Sequence, residues 1–140
     1  DVSPNALSRA QARAGALPIT WLEDDITASR LGGKFGVVVD RGCLHLVPAD
    51  RRPSYVANLA RLTAPGSTLL LKVDSPLAAV DRHTHRFSDD ELQALLSPAF
   101  AFERATPSVL ARGGTSGEAV LYRFRRISGS ARESNPPNPG

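Results

Sequence analysis

The sequence predicts an α/β protein, a three-layer sandwich built on a mostly parallel sheet that ends in an antiparallel C-terminal hairpin. Three observations carry this expectation. Two segments, Phe35–Asp40 and Thr68–Val73, are apolar almost throughout, as strands covered on both faces must be. Segments with helical spacing alternate with strand-like ones along the chain. Two late strand-like segments are joined by a short glycine-bearing turn, which favours an antiparallel pair at a sheet edge.

Each element has a local cause. Ser3-Pro4 offers an N-cap and a proline in the first helical turn, Asn5 to Ala14 is alanine-rich, and Gly15 stops the helix. Ile19–Glu23 is β-branched and aromatic between Pro18 and an acidic turn, which predicts a strand. Phe35–Asp40 is placed at the centre of the parallel sheet. Between Pro48 and Leu62 the apolar residues Tyr55, Val56, Leu59 and Leu62 recur at helical spacing, and Ala64-Pro65-Gly66 ends the pattern. Strand Thr68–Val73 follows and is broken by Ser75-Pro76. Ser88-Asp-Asp-Glu91 fits a capping box that opens a helix to about Leu96, stopped by Pro98. Phe100–Ala105 and Ala119–Arg125 are the last strands. Beyond Ile127 the composition collapses into Ser, Gly, Asn and Pro, so residues 128–140 are expected to form a disordered tail.

Composition narrows the classes. A length of 140 residues with 41% hydrophobic residues suffices for one core and not for two. No apolar run approaches the roughly 18 residues of a membrane-spanning helix, so no membrane partner is expected. The single Cys43 excludes an internal disulfide framework and suits a reducing, cytoplasmic location. A net charge of +3 comes from scattered Arg, without a basic cluster interleaved with aromatics, which argues against nucleic acid as a partner.

In an open α/β sheet, ligands bind beyond the carboxyl ends of the strands. Acidic or special residues stand at three such places: Asp1, Asp24-Asp25-Ile26, and Asp40-Arg41-Gly42. A carboxylate there can accept both hydroxyls of a ribose or an exocyclic amine, although Asp at a strand end also serves turns and helix caps. Cys43 and His45, two apart without an orienting third group, read as a buried thiol beside a packed histidine rather than a nucleophile and its base. His83 and His85 lack a further ligand at a convincing distance, so no metal is expected.

Taken together, Asp1-Val-Ser-Pro-Asn-Ala-Leu7, Glu23-Asp-Asp-Ile26, Phe35-Gly-Val-Val-Val-Asp-Arg-Gly-Cys-Leu-His-Leu-Val-Pro48 and Thr63-Ala-Pro-Gly-Ser-Thr68 resemble successive motifs of class I S-adenosylmethionine (SAM) dependent methyltransferases. Asp40-Arg41-Gly42 is most like the branch of thiopurine S-methyltransferases and related small-molecule enzymes. The resemblance runs from Asp1 to Ile127 and implies a Rossmann-like fold with SAM as cofactor. It places Asp1, with Val2 beside it, at the SAM ribose, Asp25 and Ile26 at the adenine, and Asp40, Arg41 and Gly42 in the loop beside the methionine portion. It makes Arg41, His45, His83, His85 and Arg86 the residues to inspect for contact with the methyl acceptor. Gly36 stands where the family often has Asp, and Ser67 replaces the second Gly of the usual Pro-Gly-Gly turn.

The family's first strand ends in a glycine-rich loop that holds the methionine end of the cofactor, and no segment here matches it. On this alignment that strand, its loop, the first helix and most of the second strand precede Asp1, and the domain is incomplete at its N-terminus. Phe35–Asp40 would then lack a neighbour on one side, exposing backbone groups and inviting pairing into a homo-oligomer. The implied function is methyl transfer from SAM to sulfur, oxygen or nitrogen of a small molecule. The alternative is a truncated or degenerate Rossmann-like module without catalysis, acting in nucleotide binding or protein interaction. A DNA base as acceptor would need a recognition region for which 140 residues leave little room.

Overall fold

The computed structural model describes residues 1–76, 84–112 and 114–128; the expected tail, apart from its first residue, and His83 lie outside the described residues. Helix α1 (Pro4–Ala14) starts at Ser3, whose hydroxyl accepts from the Ala6 N–H, and ends at Gly15 with φ 57°. Strand β1 (Phe35–Arg41) leads through two 3-10 turns, Leu44–Leu46 and Ala49–Arg51, into α2 (Arg52–Leu62). Strand β2 (Thr63–Asp74), helix α3 (Asp89–Leu96) and strands β3 (Phe100–Arg112) and β4 (Thr115–Arg126) complete the order. The capping box is present in both directions: the Ser88 hydroxyl accepts from the Glu91 N–H and the Glu91 carboxylate from the Ser88 N–H.

The four strands form one sheet in the order β1-β2-β4-β3. Strand β1 pairs with β2 in parallel, Val38 opposite Leu69 and Asp40 opposite Leu71, while β2–β4 and β3–β4 are antiparallel. Among the described residues β1 pairs with β2 alone, so it lies at the edge of this sheet, with the open side that the family alignment implies, and not at the centre that its apolar run suggests.

The predicted strand Ile19–Glu23 is extended chain without strand pairing along its length. A strand exists through its partner, and here the partnership is one rung long: the Asp1 N–H donates to the Leu22 carbonyl at 3.3 Å and the Asp24 N–H to the Asp1 carbonyl at 3.1 Å. That is the hydrogen-bond pattern of a parallel bridge, with α1 as the crossover between its two sides.

The core fills the space between one face of the sheet and helices α2 and α3. Leu69, Leu71, Tyr122 and Phe124 project from the sheet onto Tyr55, Leu59, Leu92 and Leu96, with Phe87 and Phe100 closing the ends. The opposite face is less covered. Val37 and Val39, one residue out of phase with the buried positions of β1, are 59% and 64% exposed, and α1 buries none of its residues.

Two devices shape the carboxyl ends of the strands. First, Asp40 is buried at the end of β1 and its carboxylate accepts from the Cys43 N–H (2.7 Å), the Leu44 N–H (3.0 Å) and the Tyr55 hydroxyl (2.6 Å). Burial, and then the Asp40 charge, hold the Tyr55 phenol well above its usual pKa, so it remains the donor in this bond. Second, β3 and β4 outrun β2, and their far end curls back over the sheet. Lys72 Nζ donates to the Val109 carbonyl at 3.0 Å, Arg41 donates to the Ala111 carbonyl at 3.2 Å, and Leu110 is buried between them.

Tyr55→Phe removes one of three donors to a buried carboxylate and is expected to lower unfolding free energy by about 1–2 kcal/mol. Asp40→Ala strands three donors and is expected to cost about 3 kcal/mol or more. Urea unfolding at constant m-value measures both, and a smaller loss for Asp40→Ala than for Tyr55→Phe would contradict the assignment.

Candidate functional site

A cavity of about 550 Å³ opens at the carboxyl ends of the strands, within the size range of small-molecule sites. Asp1 and Val2 reach it from the segment before α1, Asp25 and Ile26 from the loop after residue 24, Arg41 from the end of β1 and Gly42 from the loop that follows. Residues 24 positions apart and more are brought together because α1 and the parallel rung at Asp1 return the chain beside its own start, while β1 delivers the third loop.

The acidic wall is built by turn chemistry. Oδ1 of Asp1 accepts from the Ser3 N–H at 2.8 Å, an Asx turn that leads into the helix cap. Oδ1 of Asp25 accepts from both the Thr27 N–H and the Thr27 hydroxyl, each at 2.8 Å, and the Asp25 carbonyl accepts from Ala28 at 2.9 Å. Those bonds, the hydroxyl first, hold the Asp25 carboxyl below its ordinary pKa, with Arg51 adding a smaller effect. Oδ2 of Asp25 lies 3.6 Å from Arg51 Nη1. Both side chains are well exposed, so this ion pair is a weak contact that a ligand can displace.

The basic wall is held differently. Gly42 adopts φ +85°, and a Cβ there would stand 3.3 Å from the His45 ring, so both the backbone angle and the space favour glycine. The Gly42 N–H donates to the Lys72 carbonyl at 3.1 Å, which sets the loop on the end of β2. Arg41 is held by its bond to the Ala111 carbonyl. Leu46, Val47 and Pro48 supply the apolar lining, and Arg51 faces the acidic side.

Other expected site residues sit elsewhere. Asp40 lies beneath the loop with its carboxylate committed to Cys43, Leu44 and Tyr55, so it shapes the cavity without lining it. His45 is buried under Gly42 with Nδ1 3.8 Å from Asp74, and its carbonyl accepts from the His85 N–H at 2.9 Å. The His85 ring packs edge-on against Phe87 with centroids 4.4 Å apart and lies 3.6 Å from Glu91. Arg86 donates to the Pro76 carbonyl at 3.1 Å. None of His45, His85 and Arg86 lines this cavity.

Cys43 departs from the buried thiol expected: it is exposed and lines the cavity. Partial desolvation, followed by the nearby Asp40 charge, pushes its thiol up to about 11, which suits neither a nucleophile nor a thiolate ligand. Thr27 and Arg51 also line the cavity beside Asp25, and strand-end reasoning passed over them. The Asp-x-Thr spacing at Asp25 carries the signal for Thr27, whereas nothing local in the sequence links Arg51 to Asp25.

No family model matches the chain. It is 26% identical over 121 residues to the 2-heptyl-1-hydroxyquinolin-4(1H)-one methyltransferase of Mycobacteroides abscessus, covering 81% of this chain and 53% of that protein. The N-methyltransferase NodS of Bradyrhizobium japonicum in complex with S-adenosyl-l-homocysteine superposes with a TM-score of 0.70 at 22% identity, covering 91% of this chain and 65% of that one. The 1,6-didemethyltoxoflavin-N1-methyltransferase of Burkholderia thailandensis superposes at 0.65 and 19% identity, covering 91% and 59%. The fold is that of the class I SAM-dependent methyltransferases. The chain spans about half the length of the curated relative it matches.

Gly42→Ala is expected to cost about 1–2 kcal/mol from the left-handed backbone alone, read as a lowered urea midpoint. Cys43, whose thiol is pushed from the ordinary 9.0 up to about 11, holds about 100-fold less thiolate at pH 8. Iodoacetamide labelling is expected to be slowed by about tenfold, because the more basic thiolate is also the better nucleophile, and to accelerate as pH rises towards about 11.

Proposed function

We propose that this chain is the larger part, residues 1–127, of a SAM-dependent methyltransferase domain that acts on a small-molecule acceptor. The observation that carries the reading is the convergence of Asp1, Asp25, Ile26, Arg41 and Gly42 on one cavity at the carboxyl ends of the strands. Two carboxylates and an apolar side chain suit an adenosine: Asp1 accepts from the ribose hydroxyls, Asp25 accepts from the exocyclic amine, and Ile26 packs on the ring. Arg41, clasped at one nitrogen by Ala111, offers its remaining donors at the rim. Gly42 lets the backbone of the loop come close to the ligand.

When bound, SAM supplies an electrophilic methyl group on a sulfonium, the difficult part of the chemistry. The chain's share is geometric. The acidic wall fixes the adenosine end, the β1 loop bounds the reacting end, and Leu46, Val47 and Pro48 exclude water from one side. A soft or already deprotonated acceptor needs no strong general base, in keeping with the raised pKa of Cys43, the one thiol on the wall. The relatives act on 2-heptyl-1-hydroxyquinolin-4(1H)-one and 1,6-didemethyltoxoflavin, which supports a small-molecule acceptor here.

Calorimetric titration of S-adenosylhomocysteine into the intact natural polypeptide tests this reading. Asp1→Ala and Asp25→Ala are each expected to weaken binding at least about tenfold, or 1.4 kcal/mol. Micromolar binding indifferent to both substitutions would overturn it and favour a module that does not bind SAM through this cavity.

A further inference from the structure

We propose that Thr27 is a positioning residue for ligand recognition: its N–H and its hydroxyl jointly pin Oδ1 of Asp25, leaving Oδ2 as the acceptor for the exocyclic amine of a purine. The inference rests on the reading of Asp25 given above and extends it to what sets ligand choice. Both Thr27 bonds are 2.8 Å long and converge on the same oxygen. An Asx turn closes on the N–H bond alone, and the Ala28 N–H donates to the Asp25 carbonyl besides, so the hydroxyl bond is additional to the turn. Among the described residues Oδ2 of Asp25 carries no hydrogen bond, and its nearest cation is Arg51 at 3.6 Å. Rotation of the carboxyl group about χ2 is therefore limited mainly by Thr27.

Two consequences follow from the chemistry. A pinned, ionised carboxylate accepts but cannot donate, so it favours an amino purine over an oxo purine, which presents a carbonyl at the same place. The pinning also keeps Asp25 ionised to lower pH, since the Thr27 hydroxyl is the largest influence depressing its pKa. The other charged or titratable groups lining the cavity are Arg41 at the end of β1, Cys43 and Arg51 from the β1–α2 connection, and Asp1 and Asp24 on the acidic wall. All are unchanged by substitution at Thr27.

The test compares the affinity of the intact polypeptide for S-adenosylhomocysteine and for S-inosylhomocysteine, its counterpart with a carbonyl in place of the amine. Thr27→Val keeps the shape and the N–H bond but removes the hydroxyl. It is expected to shrink the preference for the amino ligand by roughly three- to tenfold. Thr27→Ser is expected to restore the preference, and Thr27→Ala, which cannot overpack the loop, to reproduce the loss. The Asp25 carboxyl titration followed by carbon NMR is expected to move to higher pH in Thr27→Val and not in Thr27→Ser. Asp25→Asn separates the two claims, because it places a donor where the carboxylate accepts. If Asp25→Asn leaves the preference intact, the role of Asp25 fails. If Asp25→Asn abolishes it while Thr27→Val keeps both the preference and the Asp25 midpoint, Asp25 stands and the positioning role of Thr27 is overturned.

Discussion

The buried carboxylate of Asp40 is the contact on which the carboxyl end of the sheet depends. A carboxylate removed from water is costly unless its oxygens are satisfied, and here one backbone loop and one phenol do so together. The two amides belong to the turn that follows β1, and the phenol belongs to α2, so one side chain fastens strand, loop and helix at a single point. Arg41 and Gly42 lie between the carboxylate and the amides it holds. Their placement on the cavity wall follows from that fastening, as does the packing of His45 beneath Gly42.

The cavity has two walls made by different means. On the acidic side, each carboxylate is set by a short-range turn, Asp1 by Ser3 and Asp25 by Thr27, so the wall needs little from the rest of the fold. On the basic side, the local bonds of Asp40 to the Cys43 and Leu44 amides are joined by long-range ones. Gly42 bonds to β2, Arg41 bonds to β3, and His45 joins the loop to the segment before α3. The first wall is fixed within a few residues, whereas the second is also tied to the sheet.

Much of this was legible in the sequence wherever the determinant is local. Ser3 before Pro4 and the Ser88–Glu91 box carry their cause within a few residues, and the structure shows them as read, while the two late strands pair antiparallel as expected but run further towards their turn, to Arg112 and from Thr115. Ile19–Glu23 was not legible, because β-propensity says nothing about whether a partner lies alongside, and here only one rung is present. For β1 the two readings differ: its continuous apolar run suggests a central strand, the family alignment suggests one open side, and among the described residues it pairs with β2 alone, since strand order is a property of the whole sheet. Asp40 and Asp25 illustrate the limit for function. Both are acidic residues at comparable places in the sequence, yet one faces inward to a phenol and the other lines the cavity, a difference decided by Tyr55, 15 residues further on.

The curled end of the β3–β4 hairpin gives the site a remote boundary. Arg41 and Ala111 are 70 residues apart in sequence, and Lys72 and Val109 are 37 apart, yet their clasps make the hairpin the outer margin of the loop after β1. Hairpin ends tolerate changes of length better than any other part of a sheet. A descendant of this protein that lengthens or shortens that turn would reshape the space above Arg41 without altering a residue of the cavity wall. Such a fold can reshape its cavity through an element that supports the wall at Arg41 without lining the cavity itself.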